Sequence, residues 1–233
     1  MIRENFPIRP THTIHQWSNV IDAKELDFWH HHFSHEDFWE DIKGQDHIEG
    51  QPCHKTLNIT YWRANKLDLP YRYLNDKMHN YVEYAFGDDF LLKPVPSFRK
   101  WVEGTHMGGH GDPFTMDNQL TMTPNNGELP RGFYEVATVM YFDDDFDGGE
   151  LEFPDLEYTI NPAAGTLVAF PCAYGYEHRV NEITRGERTT SATHWVRCST
   201  IARALSHQAV PDRWWERYEN TGPVFEMLNQ QHP

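Results

Sequence analysis

Apolar and polar positions alternate with two different periods along this chain. In residues 18–43 (SNVIDAKELDFWHHHFSHEDFWEDIK), Leu26, Trp29 and Phe33 recur at helical spacing, Ser18 is a candidate N-cap, and Gly44 closes the run. A second helix is predicted over residues 68–86 (DLPYRYLNDKMHNYVEYAF). Asp68 precedes Pro70 at its start, Leu74, Met78, Tyr81 and Ala85 make one apolar stripe, and Gly87 ends it. Residues 53–63 (CHKTLNITYWR) between them are more strand-like. From residue 97 onward the texture changes to short β-prone runs separated by Gly, Pro, Asn and Asp. Candidate strands are 98–103, 136–142, 149–153, 157–160, 166–170, 176–181 and 187–197. Many short strands at close spacing predict a sandwich, barrel or jelly roll. Residues 113–131 form a polar loop long enough to carry function. Residues 200–230 return to helical texture, with Trp214 and Trp215 expected to pack onto the core.

Composition narrows the class. With 233 residues, 39% of them hydrophobic, the chain can bury a sizeable core and reads as globular. A formal charge of −15 repels phosphate backbones, so nucleic acid is not expected as a partner. Three cysteines (Cys53, Cys172, Cys198) make no disulfide framework and fit a reducing compartment, and Cys172 reads as a core thiol. The N-terminal MIRENFPIRP lacks the apolar run of a signal peptide. The longest uncharged stretch, Tyr158–Tyr176, is broken by Asn161, Pro162, Gly165, Pro171 and Gly175, so no membrane span is expected. The expected location is cytoplasmic.

Candidate chemistry begins with histidine. With 15 His and 17 Asp in the chain, chance supplies about one H-x-D triplet, and two are present. In His35-Glu36-Asp37 the histidine falls inside the first helical run. There, side chains at i and i+2 diverge, and a solvated helix face is the expected outcome. In His110-Gly111-Asp112 the triplet follows Gly108 and Gly109 and precedes Pro113. On an extended segment, positions i and i+2 point to the same side, so imidazole and carboxylate converge. That makes two of the three ligands of a 2-His-1-carboxylate facial triad. His178, in the candidate strand YEHRVN, is a possible third, and Arg188 follows ten residues later. If 176–181 and 187–197 form a hairpin, His178 and Arg188 face one interior. A buried Arg beside a metal invites a dicarboxylate ligand.

The order of motifs from Arg99 to Trp195 resembles the prolyl 4-hydroxylase-type Fe(II)/2-oxoglutarate-dependent oxygenases. The residues that carry the resemblance are Trp101-Val102-Glu103-Gly104, His110-Gly111-Asp112, Ala137-Thr138-Val139-Met140-Tyr141 and Asp143-Asp144-Asp145. They continue with Gly148-Gly149-Glu150, Phe153-Pro154, Pro162-Ala163-Ala164-Gly165, Leu167 and Phe170, then His178, Arg188 and Trp195. Trp101 stands where Tyr is common, and Arg188 where collagen-type members carry Lys. The resemblance implies a mainly β fold with flanking helices around a double-stranded β-helix (jelly-roll, cupin-like) core over 98–200. A helical and strand region (1–97) would pack on that core, and a helical extension (201–233) would complete one structural domain.

The resemblance also implies roles. His110, Asp112 and His178 would bind Fe(II), and Arg188 would pair with the distal carboxylate of 2-oxoglutarate. Tyr141 would donate to the same carboxylate, sharing a strand face with Ala137 and Val139. Thr190, on the same face as Arg188, is a further candidate contact. Ascorbate is a candidate reductant, O2 the co-substrate, and loop 113–131 the lid. The implied reaction is C–H hydroxylation coupled to decarboxylation of 2-oxoglutarate to succinate, with a prolyl residue of a peptide or protein as leading substrate. A free amino acid or other small molecule is the alternative substrate, and a non-catalytic metal-binding cupin the alternative function. A plain cupin has no need of Arg188. The chain is expected to be a monomer or homodimer. Other constellations rank lower, including a calcium site in the acidic run Asp143–Asp147.

Overall fold

The computed structural model describes residues 14–41, 55–87, 90–91, 97–112, 135–173 and 175–197. The proposed lid, 113–131, and the extension, 201–233, lie outside the described residues. The chain enters through strand β1 (His15–Trp17) and helix α1 (Ala23–Phe33), followed by β2 (Trp39–Asp41), β3 (Lys55–Leu57), α2 (Ile59–Ala64) and α3 (Asp68–Phe86). Then come β4 (Phe90–Leu91), β5 (Phe98–Val102), β6 (Met107–His110), β7 (Val136–Tyr141), β8 (Phe146–Gly148), β9 (Leu151–Phe153), β10 (Tyr158–Ile160), β11 (Leu167–Pro171), β12 (His178–Val180) and β13 (Ile183–Arg197).

Local chemistry sets the helix ends. Helix α1 starts at Asp22, not Ser18, because Asp22 and Glu25 close a reciprocal capping box. The Glu25 amide donates to Asp22 Oδ1 at 3.0 Å and the Asp22 amide donates to Glu25 Oε2 at 2.8 Å. It stops at Phe33, well short of residue 43, since Trp39–Asp41 is drawn into strand pairing with Lys55–Leu57. The strand-like stretch 53–63 is also divided. Asn58 accepts from the amides of Thr60 and Tyr61, so a short helix follows β3 directly. Helix α3 spans the predicted residues and ends at Gly87, whose φ of 88° suits glycine. Its buried positions are Tyr71, Leu74, Asn75, Met78 and Val82, so the core-facing stripe is turned slightly from the predicted one.

The strands make two antiparallel sheets. The larger runs β1-β11-β7-β13-β5-β3-β2, with β4 and β8 also paired to β13; the smaller runs β10-β9-β12-β6. This is the jelly-roll core, and β13 is its longest strand. Alternation along β7 divides the interior. Val136, Met140 and the following Phe142 face the helices, packed with Trp29, Phe33, Met78, Phe98 and Trp195. Ala137, Val139 and Tyr141 face the space between the sheets, with Trp101, Phe153, Phe170 and Ile183. The helices therefore cover the outer face of the large sheet. Each large side chain buried there contributes about 1.5–3 kcal/mol. Residues 176–181 and 187–197 do not form a hairpin with each other. β12 pairs with β6 and β9 in the small sheet, whereas β13 pairs with β5, β7 and β8. The chain crosses between sheets through Asn181–Glu182, so His178 and Arg188 face one interior from opposite walls.

Candidate active site

The three ligand candidates meet at one end of the small sheet. His110 is the last residue of β6 and is the register partner of His178 in β12, so the two imidazoles stand side by side with ring centroids 4.4 Å apart. Asp112 follows two residues later, its Oδ2 3.9 Å from His178 Nε2. One ligand atom from each of His110, Asp112 and His178 lies within 4.8 Å of the others, and among the described residues no other group of His, Cys, Asp or Glu does this. The backbone sets the tautomers. His110 Nδ1 lies 3.0 Å from the Gly108 carbonyl and His178 Nδ1 3.1 Å from the Tyr176 carbonyl. A carbonyl only accepts, so Nδ1 carries a hydrogen in both rings and Nε2 is the atom left to face a metal. The His178 ring also packs against Phe170 and Phe153.

Electrostatics favours the ligating forms. Burial lowers the His178 pKa, which keeps the imidazole neutral. Burial would raise that of Asp112, but the hydrogen bond from His194 and the interactions with the His194, His178 and His110 imidazoles outweigh it, so the carboxyl sits below its usual range. Two imidazole nitrogens and one carboxylate oxygen form a donor set suited to non-heme Fe(II).

Further along the same interior lies Arg188, only 1% exposed. Its guanidinium carbon sits 5.2 Å from the Trp101 ring, 5.4 Å from Tyr141 and 5.8 Å from Phe146. Nη1 donates to the Gly149 carbonyl, while Nε has no partner among the described residues. Burial lowers the Arg188 pKa, opposed by Tyr141, Glu150 and Asp143; a guanidinium still stays charged at neutral pH. A buried cation with an unsatisfied donor calls for an anion. Gly149 is required here. Its φ is 70°, and a Cβ would strike Ile183 and come within 3.1 Å of Arg188 Nη1. Tyr141 is buried, its pKa raised by burial against the pull of Arg188. The Thr190 hydroxyl accepts from Trp101 Nε1 at 3.1 Å and so holds the ring beside Arg188.

One residue at the site escaped the sequence reading. His194 Nε2 lies 3.1 Å from Asp112 Oδ1. Strand alternation from Arg188 would have found it, since 188, 190, 192 and 194 share a face. Trp195, the last residue of the motif pattern, points the other way. It is buried among the helix-side residues and donates from Nε1 to Thr138 Oγ1 at 2.8 Å. The remaining candidates have structural partners. His35 lies beyond α1, on extended backbone, with its ring against His31 and Tyr61. Asp143 accepts from the Thr189 amide at 2.5 Å and meets His30 Nε2 at 3.1 Å. Asp145 and Asp147 pair with Arg185, so three of the run's four aspartates have partners within the chain. Cys172 is a buried free thiol whose pKa is pushed up by burial.

Comparison with known proteins places this geometry. Residues 97–197 match the 2OG-Fe(II) oxygenase superfamily. A PKHD-type hydroxylase of Caulobacter sp. (strain K31) is 32% identical over 98 residues, which is 41% of this chain and 40% of that protein. Another, from Psychrobacter sp. (strain PRwf-1), is 26% identical over 190 residues, covering 78% of this chain and 68% of that one. Among solved structures, a Trichoplax adhaerens prolyl hydroxylase in complex with a hypoxia-inducible factor oxygen degradation domain peptide fragment superposes with a TM-score of 0.58. It shares 12% identity and covers 83% of this chain and 88% of that one. Among the described residues no helix is long and apolar enough to cross a membrane. The jelly roll, the order of its motifs and the matched segment agree: residues 97–197 are similar to the 2OG-Fe(II) oxygenase superfamily, and the chain spans about two-fifths of the length of the first PKHD-type hydroxylase it matches.

Proposed function

We propose that the protein is an Fe(II)- and 2-oxoglutarate-dependent dioxygenase that hydroxylates a C–H bond. The observation that carries this reading is a pair of sites in one interior: the His110, Asp112 and His178 cluster, and the buried Arg188 with its unpartnered Nε. His110 and His178 would hold the metal through Nε2, and Asp112 through a carboxylate oxygen. Arg188 would pair with the distal carboxylate of 2-oxoglutarate. Tyr141 would donate to that carboxylate, and Thr190, whose oxygen accepts from Trp101, would turn its own proton to it. When bound, metal and cosubstrate together supply O2 activation, one oxygen atom going to the C–H bond and one to succinate, with loss of CO2. The chain's own part is to orient both groups and keep water from the reacting bond. Phe153, Phe170 and Tyr141 wall the site, and loop 113–131 is the proposed lid.

A prolyl residue of a peptide or protein is the substrate we favour. The support is the hydroxylase names of the relatives and the peptide complex of the Trichoplax structure. Free amino acids are the second class to screen. The deciding experiment is anaerobic titration of 2-oxoglutarate into the Fe(II) protein, watching for the visible charge-transfer band of a chelated 2-oxo acid, with His178→Ala as control. A band in the wild type alone supports the reading. Iron binding without a band points instead to a metal-binding cupin. Succinate release with proline-containing peptides and with free amino acids, ascorbate present, then separates the substrate classes.

A further inference from the structure

Asp112 lies beyond the last residue of β6, so no strand ladder fixes its side chain. The groups around it treat its two oxygens differently. Oδ2 lies 3.9 Å from His178 Nε2, on the side of the ligand cluster, and Oδ1 lies 3.1 Å from His194 Nε2. His194 comes from the opposite sheet, in β13, where it is the register partner of Ala137. Its place is therefore set by the large sheet and not by the loop that carries Asp112. A ligating carboxylate can only accept, so in this 3.1 Å contact His194 Nε2 is the donor. A carboxylate with one oxygen engaged this way can offer a metal only the other. Left alone, it could rotate or bind through both oxygens and fill a position that cosubstrate or O2 needs.

We propose that His194 is a positioning residue. By donating from Nε2 to Asp112 Oδ1, it holds the carboxylate so that Oδ2 is its single metal-ligating oxygen. The role rests on the oxygenase reading above. His194 does not belong to the cluster of mutually close ligand atoms, so it acts through Asp112 and not on the metal.

The test uses the full chain, with Mn(II) as a redox-stable probe. Calorimetric titration of the metal-free wild type, His194→Ala, His194→Phe and His194→Gln should show affinity lowered about 10- to 100-fold in the Ala and Phe variants. Gln retains an N–H donor and should recover most of the loss. Thermal unfolding of the metal-free proteins separates this from misfolding; if Ala is destabilised, Phe carries the comparison. Proton NMR of the Co(II) protein should show two paramagnetically shifted imidazole N–H signals, from His110 and His178, in wild type and His194→Gln alike. Wild-type affinity in both Ala and Phe overturns the role, as does a Gln variant no tighter than Ala. A third shifted imidazole in the wild type would make His194 a ligand, which also overturns it. A wild type that binds no Mn(II) removes the metal site itself, and the positioning role falls with it.

Discussion

At the residue scale, the site rests on a few charged groups held where water does not reach. Arg188 offers the most direct test. Replacing it with Ala removes the buried cation and should weaken 2-oxoglutarate binding by about 10- to 100-fold, the equivalent of 1.5–3 kcal/mol for a hydrogen bond to a charged group. Iron should stay bound, and the charge-transfer titration measures both; unchanged cosubstrate affinity would sink the anchor assignment. His178→Ala should lose Fe(II) while keeping its far-UV circular dichroism, since the ring's apolar neighbours Phe153 and Phe170 remain to pack. Gly149→Ala meets both a positive φ and contact with Ile183 and Arg188, and should cost about 1–3 kcal/mol in urea unfolding. At this scale the motif spacing was legible, and His110, Asp112 and His178 do come together. His194 was not legible from spacing, because its partner Asp112 is 82 residues away and on another strand's loop. Only β13's alternation hinted at it.

At the element scale, the helices illustrate how far local signals reach. Asp68, Pro70 and Gly87 delimit α3 because N-terminal proline and C-terminal glycine act locally. The end of α1 was overrun in the sequence reading. Leu26, Trp29 and Phe33 recur at helical spacing, but Trp39–Asp41 finds a strand partner in Lys55–Leu57, and a distant pairing overrules the helical reading of residues 34–43. Helix α1 also carries a buried histidine. His32 has its pKa lowered by burial first, with His31 and His35 adding to the effect, and its Nδ1 lies 3.2 Å from the Tyr61 hydroxyl. A depressed histidine takes up its proton more readily when unfolded, so its contribution is present above the unfolded value of 6.5 and is lost as pH falls below it. Thermal unfolding of the metal-free protein should therefore move to lower temperature between pH 7.5 and pH 5.5, and His32→Gln should lessen that slope. An unaltered slope would show that His32 does not contribute.

At the scale of the whole molecule, the large sheet is shared between two cores. One face packs α1 and α3 through Trp29, Phe33, Phe98 and Phe142; the other faces the site. Trp29 touches Phe33, Trp62, Phe98 and Phe142 and so joins helices to sheet. Trp29→Ala should cost about 3–5 kcal/mol. If residues 1–97 and 98–200 form one structural domain, unfolding should keep a single calorimetric transition. Two separated transitions would mean that the helical region is a separate unit.

What was readable in the chain is what short-range chemistry controls. Strand alternation, helix caps, turn glycines and the order of the ligating residues all act over a few positions, and the jelly-roll expectation followed from them together with the resemblance. What required three dimensions is the pairing of distant strands. The sequence leaves open that His178 and Arg188 belong to different sheets, because two residues, Asn181 and Glu182, suffice either to turn a hairpin or to cross between layers. It leaves open that Trp195 faces the helices while His194 faces Asp112, because alternation names two faces without saying which one holds the site. Burial of both faces of the large sheet decides these points, and that burial exists only when the helices and the second sheet have closed over it.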